Sequence, residues 1–378
     1  MSLLVLILLA LGTPVWASPT LELPYSEPNR APLSDNGLGI ASVLRTHSLD
    51  SEVTSGTVAG AELSARWNRR LFPQVQSRLA ADLFLETGAV RQRYSDAFSP
   101  RQQLRLREAA LVANPVPWLF LSGGAQEQAL WQSRLLFHEQ SFPSLIERAE
   151  WRSGKLSYGL RLEQAIASDT STRQPWGNWA NGSPSFFMEQ IFARYDQSQR
   201  FFAGLTVGHF LYRDLSAPSA FQAQFFGNTV DGLSANDARF RYAYQGFQAG
   251  AQAQVWFLPT WAAAVETEIL RNSESPTGTN FGWRARLTPL WQASRTLKIS
   301  LPLEIFRVQP DAAPALFQAR QFGSSNRAGF LLGVQAEFQD PSLILAAEWI
   351  ESKPIINQSW QTPMTWLQVS LKSDYVVF

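Results

Sequence analysis

Residues 247–257 read FQAGAQAQVWF. Phe247, Ala249, Ala251, Ala253, Val255 and Phe257 share one parity, while Gln248, Gly250, Gln252 and Gln254 share the other. Successive side chains of a strand point to opposite faces, so this spacing predicts a strand with one apolar and one polar side. The stretch 297–305, LKISLPLEI, repeats the pattern: Leu297, Ile299, Leu301, Leu303 and Ile305 against Lys298, Ser300, Pro302 and Glu304. So do Leu156, Tyr158, Leu160 and Leu162 against Ser157, Gly159, Arg161 and Glu163. Phe330, Leu332, Val334, Ala336 and Phe338 likewise alternate with Leu331, Gly333, Gln335 and Glu337.

Carried along the chain, this reading predicts sixteen strands. They are 37–47, 56–67, 76–89, 103–113, 117–126, 145–153, 155–166, 185–196, 200–213, 237–257, 260–271, 279–290, 295–307, 327–338, 342–352 and 364–378. Their connections alternate in length. Short turns such as Ser153-Gly154 and Leu258-Pro259 alternate with longer polar loops at 48–55, 90–102, 127–144, 167–184, 214–236, 272–278, 308–326 and 353–363. Short turns at one end and long loops at the other, on an even number of strands, predict an all-β transmembrane antiparallel barrel. Splitting the long tenth strand would put the longest loop on the short-turn side. A soluble sandwich would also alternate in polarity, but has no cause for a strict alternation of loop lengths.

Composition agrees with a sheet between lipid and water. Charged residues are 17% of 378 and the mean hydropathy is −0.13, so the chain is poor in charge without being greasy. A lipid-facing surface excludes charge while the inward face stays polar. A net charge of +1 gives no cause to expect nucleic acid, and the absence of cysteine excludes disulfides and thiolate metal sites. Leu3–Leu11 is too short to span a bilayer and is followed by Val15-Trp16-Ala17, which predicts a signal peptide over 1–17. Residues 18–36 then form a short periplasmic segment, too short for a plug domain, and 37–378 form the barrel.

The chain ends Tyr375-Val376-Val377-Phe378. With the export signal and the alternating strands, this ending resembles Gram-negative outer-membrane β-barrel proteins of the porin-like kind, over about 36–378. The resemblance implies that the barrel-assembly machinery reads Tyr375 and Phe378. One departure stands: Leu367, Val369, Leu371 and Tyr375 share a parity that Phe378 does not, so either a bulge intervenes or the signal is imperfect. Trp67, Trp118, Trp151, Phe201, Phe257, Trp261, Trp291 and Phe338 fall near the short turns, where a membrane–water girdle places aromatic rings.

A sixteen-stranded barrel is wide enough for an aqueous channel. The inward parity predicts a lining of Arg66, Arg78, Asp82, Glu86, Arg105, Arg107, Arg148, Glu150, Arg161, Glu163 and Arg194 on the first half. The second half supplies Glu266, Glu268, Arg284, Arg286, Lys298, Glu304 and Glu337. Glu266 and Glu268 should face Arg284 and Arg286 in a salt-bridge ladder. Arg239 and Arg241, in an outer extension of the tenth strand, are candidates for lipopolysaccharide phosphates. The loop at 127–144 lacks the Gly-rich acidic motif with which general trimeric porins fold their third loop inward, so no constriction is assigned to it. The 214–236 loop carries Phe221, Phe225 and Phe226 and is expected to fold inward or meet a partner. His47, His138 and His209 are the three histidines and do not form a recognisable catalytic group.

The expected function is passive diffusion of small polar solutes through a hydrated channel, with no enzyme activity, cofactor or metal. Expected partners are outer-membrane lipid, lipopolysaccharide and the barrel-assembly machinery, with a homotrimer or another envelope protein beside them. A second reading stays open: a non-porin barrel serving an envelope assembly that exports polysaccharide or protein. An outer-membrane lipid-modifying enzyme is a third.

Overall fold

The computed structural model describes residues 36–378 except 95–97, 129–132, 138–139, 168–183, 198–199, 319–322, 341, 374 and 378. The expected signal peptide, most of the segment after it, His138 and Phe378 lie outside the described residues. Sixteen membrane-length strands follow one another: β1 (Asn36–Asp50), β2 (Thr54–Phe72), β3 (Val75–Gln92), β4 (Gln102–Val116), β5 (Leu119–Glu127), β6 (Ser141–Ser153), β7 (Leu156–Ala165) and β8 (Ser185–Asp196). The second half is β9 (Phe201–Arg213), β10 (Gln245–Leu258), β11 (Trp261–Asn272), β12 (Phe281–Gln292), β13 (Leu297–Ser300 and Leu303–Val308), β14 (Arg327–Gln339), β15 (Ser342–Pro354) and β16 (Met364–Ser373 and Val376–Val377). Each pairs antiparallel with its sequence neighbours. β16 pairs back onto β1, from Val43 opposite Lys372 to Asp50 opposite Thr365, and so closes the barrel. Closure removes the open sheet edges that lipid does not tolerate.

The interruption in β13 has a chemical cause. Pro302 has no N–H to give the ladder, and Pro289 lies across from Leu301 on β12. The register is nevertheless the same on both sides, with Leu287 opposite Leu303 and Leu290 opposite Ser300. The interruption in β16 is different. Val43 faces Lys372 but Ile40 faces Val376, a shift of one residue. This bulge moves Tyr375 off the parity of Leu371 and brings Val376 out to the exposed side beside Ile40.

The outer wall is the apolar one. Leu104, Ile191, Leu205, Phe247, Ile305 and Leu371 all expose their side chains there. Near the short turns aromatic rings meet in pairs: Trp118 with Trp151, Trp151 with Tyr158, and Trp261 with Trp291 at 5.7 Å between centroids. The Ser153–Leu156 turn needs Gly154, whose φ of +58° suits a residue without Cβ. Among the described residues no helix is long and apolar enough to cross a membrane; the crossing is made by strands.

Two features depart from the sequence reading. The tenth strand starts at Gln245, not at 237. Residues 239–240 instead pair with 230–231 in a small hairpin above the wall. Ser234 and Asp237 tighten its turn, and Arg241 is held to Asp231 at 2.6 Å. Second, the loop before that hairpin contains a helix, α1 (Ala217–Phe225). Its cap is Ser216, whose hydroxyl accepts the Ser219 N–H, with Pro218 in the first turn.

Candidate functional site

Ion pairs organise the barrel interior into groups. On β1 to β4, Arg45 reaches Glu62 (2.8 Å) and Glu86 (3.2 Å), and Arg101 grips both carboxylate oxygens of Glu86. Arg105 and Arg107 converge on Asp82 at 2.7 and 3.0 Å, and Ser64 donates to the same carboxylate. The buried ring of Phe84 lies within 4.2–5.2 Å of the Arg45, Arg101 and Arg105 guanidiniums, a cation–π cluster. β4 bulges to allow this: Ala80 faces Glu108 and Ala81 faces Leu106, so Arg107 is the extra residue. Arg107 also donates to the Tyr375 hydroxyl (3.0 Å), and Arg66 covers the Tyr375 ring. Tyr375 therefore points inward, whereas its parity with Leu371 had placed it on the lipid side.

On the facing wall the register sets Glu266 opposite Arg286 and Glu268 opposite Arg284. Arg284 is fully buried and reaches Glu268 (2.8 Å), Glu266 (3.2 Å) and Glu304 (3.5 Å). Arg286 joins Glu304 at 3.5 Å, and Lys298 joins Glu337 at 2.9 Å. Elsewhere Arg148 pairs with Glu150 and lies over the Phe192 ring, while Arg194 pairs with Asp196 at 3.2 Å. Arg161 and Glu163 are buried on β7, and Arg78 bonds Gln76. The predicted lining thus separates into local, nearly neutral groups. Compensation runs across neighbouring strands for Arg105 with Asp82 and Arg284 with Glu268, and along one strand for Arg148 with Glu150 and Arg194 with Asp196.

The loop after β5 turns inward. Ser133 donates to Glu268 on β11 at 2.6 Å, which ties the loop to the far wall. Leu135, Leu136 and Phe137 are buried, and Phe137 meets Phe142 and Phe186 edge-on at 5.3 and 4.9 Å. Phe317, from the loop after β13, stacks on Tyr212 and reaches Phe142. Gln318 donates to the Leu135 carbonyl and Gln140 to that of Leu316. No Gly-rich acidic motif is needed for this inward course. Apolar burial drives it, at about 1.5–3 kcal/mol for each large side chain.

The loop carrying α1 docks onto the same cluster. Asn228 donates to the Pro310 and Ala313 carbonyls and accepts the Ala315 N–H. Thr229 gives its N–H and hydroxyl to the Asp311 carboxylate at 2.8 and 2.7 Å. Burial raises the Asp311 carboxyl above its ordinary range, and the Thr229 bonds and the Arg241 charge only partly oppose this. Sequence reasoning missed Arg45, Arg101, Ser133 and Asp311. It also missed the apolar residues on the inward parity: Phe142, Phe186, Phe210 and Leu270. Their signal was legible as greasy residues on the wrong face at strand ends beside loops that themselves contain Leu-Leu-Phe and Ala-Leu-Phe.

Two predicted sites fall elsewhere. Arg239 and Arg241 stand on the exposed hairpin rather than on a strand of the barrel wall, with Arg241 already paired to Asp231. The two described histidines lie on opposite sides of the wall. His47 stacks inside on Trp366, and His209 faces outward between Glu189 (3.9 Å) and Gln245 (3.3 Å).

No family model matches this chain. No curated protein sequence matches it either. Solved structures do. OprB of Pseudomonas putida, in its high-pH structure, superposes with a TM-score of 0.59 at 10% identity, covering 91% of this chain and 94% of OprB. The outer membrane channel DcaP of Acinetobacter baumannii matches at a TM-score of 0.47 and 10% identity, over 89% of this chain and 96% of DcaP. The outer membrane protein OprD of Pseudomonas aeruginosa matches at 0.45 and 10%, over 93% and 97%. The fold is that of a porin-like outer-membrane β-barrel.

Proposed function

We propose that this protein is an outer-membrane channel through which small polar solutes diffuse. The observation that carries this reading is a closed barrel whose interior is lined by paired charges and narrowed by a loop bonded across it, Ser133 to Glu268. A lining of neutralised pairs presents hydrogen-bonding edges without a dominant sign, so polar solutes cross with weak charge preference. The loop cluster limits their size. No chemical turnover is required, and neither a cofactor nor a metal enters the reading. Its partners are outer-membrane lipid, lipopolysaccharide phosphates near Arg239 and Arg241, and the barrel-assembly machinery during insertion. A second copy of the chain or another envelope protein completes the set.

The test is single-channel recording on the purified barrel in planar bilayers. Stable open steps with an anion-to-cation permeability ratio near one are expected. A barrel that seals the bilayer and co-purifies in fixed ratio with another envelope protein would overturn the channel reading in favour of a subunit of an export assembly.

A further inference from the structure

The outer wall carries two arginines where β11 and β13 run into their long loops. Arg271 is the next-to-last residue of β11 and Arg307 the next-to-last of β13, and both are exposed. Their parity is that of Ile269 and Ile305, the apolar outward set, whereas Arg284 and Arg286 on the strand between them face the lumen and its carboxylates. Register places them on either side of Trp283 of β12, which sits opposite Arg307, while Phe281 sits opposite Arg271. With strands about 4.8 Å apart and a rise of about 3.4 Å per residue, the two Cα atoms stand roughly 12 Å apart. Among the described residues, they are the only charged side chains on the outward faces of β11, β12, β13 and β14; the rest are apolar apart from Thr267. Beyond Ala328 of β14, Lys353 of β15 stands level with Arg307, with Glu351 two residues before it. On β8 the outward face carries Glu189 instead, so the basic sign is local to one sector.

A cation on the lipid face costs least where a strand reaches the interface, and there it meets headgroups. Arginine forks match phosphate oxygens, and an indole suits the boundary between acyl chain and headgroup. An apolar wall topped by two arginines is therefore complementary to a lipid that bears two phosphates above its chains. We propose that the outer face of β11 to β13 holds one phosphorylated glycolipid of the outer leaflet. Its phosphates lie on Arg271 and Arg307, its sugar over Trp283, and its chains along Ala285 and Ile305. A phospholipid of the inner leaflet meets the other end of the same strands, where Trp261 stacks on Trp291. The site is separate from the hairpin, where Arg241 already holds Asp231. It goes beyond the channel reading and does not depend on whether the barrel conducts.

The test is native mass spectrometry of the full-length barrel in detergent, titrated with bisphosphorylated lipid A, with its monophosphorylated form and phosphatidylcholine as comparisons. One tightly retained bisphosphorylated lipid is expected, and the monophosphorylated form should bind more weakly. Arg271→Gln and Arg307→Gln should each lower its affinity about fivefold, the effect of one basic residue at a charged lipid surface. Arg213→Gln, which removes an exposed outward arginine at the end of β9 whose guanidinium lies over Phe187, should leave it unchanged. Equal retention of phosphatidylcholine, an equal loss from Arg213→Gln, or unchanged affinity in the folded Arg271→Gln/Arg307→Gln double variant would each overturn the proposal. Position is read separately in a barrel that keeps both arginines. A benzophenone-bearing phenylalanine in place of Phe281, at the long-loop end, should crosslink to lipid A. The same residue in place of Phe338, at the short-turn end of β14, should not; equal crosslinking at both would reduce the site to a general lipid coat. Neither measurement reads ion flow. A sealed barrel that retains the lipid sinks the channel reading and leaves the site standing, while a conducting barrel that does not retain it does the reverse.

Discussion

Arg284 shows how a single residue organises one wall. It is buried among Glu266, Glu268 and Glu304, and it supplies the charge that lets three carboxylates share one patch. Arg284→Met should leave those carboxylates uncompensated and cost about 3–5 kcal/mol, as removal of one member of a buried ion pair does. The temperature at which the barrel loses its fast-migrating folded form on gels should fall accordingly. Asp311 acts with pH. Its carboxyl is raised by burial, so the folded loop favours the protonated form. The docking it supports is complete below the ordinary carboxylate range and weakens as pH rises through the raised value. Hydrogen exchange at the Thr229 amide should therefore quicken with rising pH beyond the intrinsic trend. Asp311→Asn, which stays neutral, should remove that excess; an identical pH response in both proteins would refute the assignment.

At the scale of elements, strands and loops obey different rules. Strand existence was legible because period-two alternation is a local property, and turns such as Ser153-Gly154 carry their own chemistry. The start of β10 was not legible. Residues 237–244 alternate acceptably, but Asp237 finds Ser234 and Arg241 finds Asp231 in a hairpin that local spacing does not encode. The inward loop was missed for a related reason. Its anchors, Ser133 on Glu268 and Phe137 against Phe186 and Phe317, are distant in sequence. Phe137→Ala should loosen it, with a loss of about 3–5 kcal/mol for a large aromatic removed from a packed core. Larger and noisier single-channel conductance is expected, and a conductance unchanged from wild type would mean that the loop does not gate the channel.

At the scale of the molecule, lipid outside and paired charge inside make one sheet two-faced. A charge placed on the outer wall tests this directly. Ile191 is 70% exposed in mid-strand on β8. Ile191→Arg should destabilise the barrel in lipid vesicles by about 2–4 kcal/mol, the scale for a cation near the bilayer midplane. The same substitution in a soluble sheet would be nearly neutral. Equilibrium unfolding in vesicles, compared with Ile191→Ala, separates the two cases.

The sequence by itself determined the barrel class, the strand count and, away from the bulges of β4 and β16, which strand residues share a face. Alternation and loop length are written locally, and lipid enforces them along every strand. The opposition of Glu266 to Arg286 and of Glu268 to Arg284 was legible for the same reason, whereas the ion pairs of both glutamates fall to Arg284. Only the tertiary structure decided which loops enter the barrel and that Tyr375 turns inward after a one-residue bulge. Those outcomes depend on contacts between residues far apart in the chain, such as Thr229 with Asp311, Ser133 with Glu268 and Arg107 with Tyr375. Closure of the sheet brings such residues together, and no window of neighbouring sequence contains them.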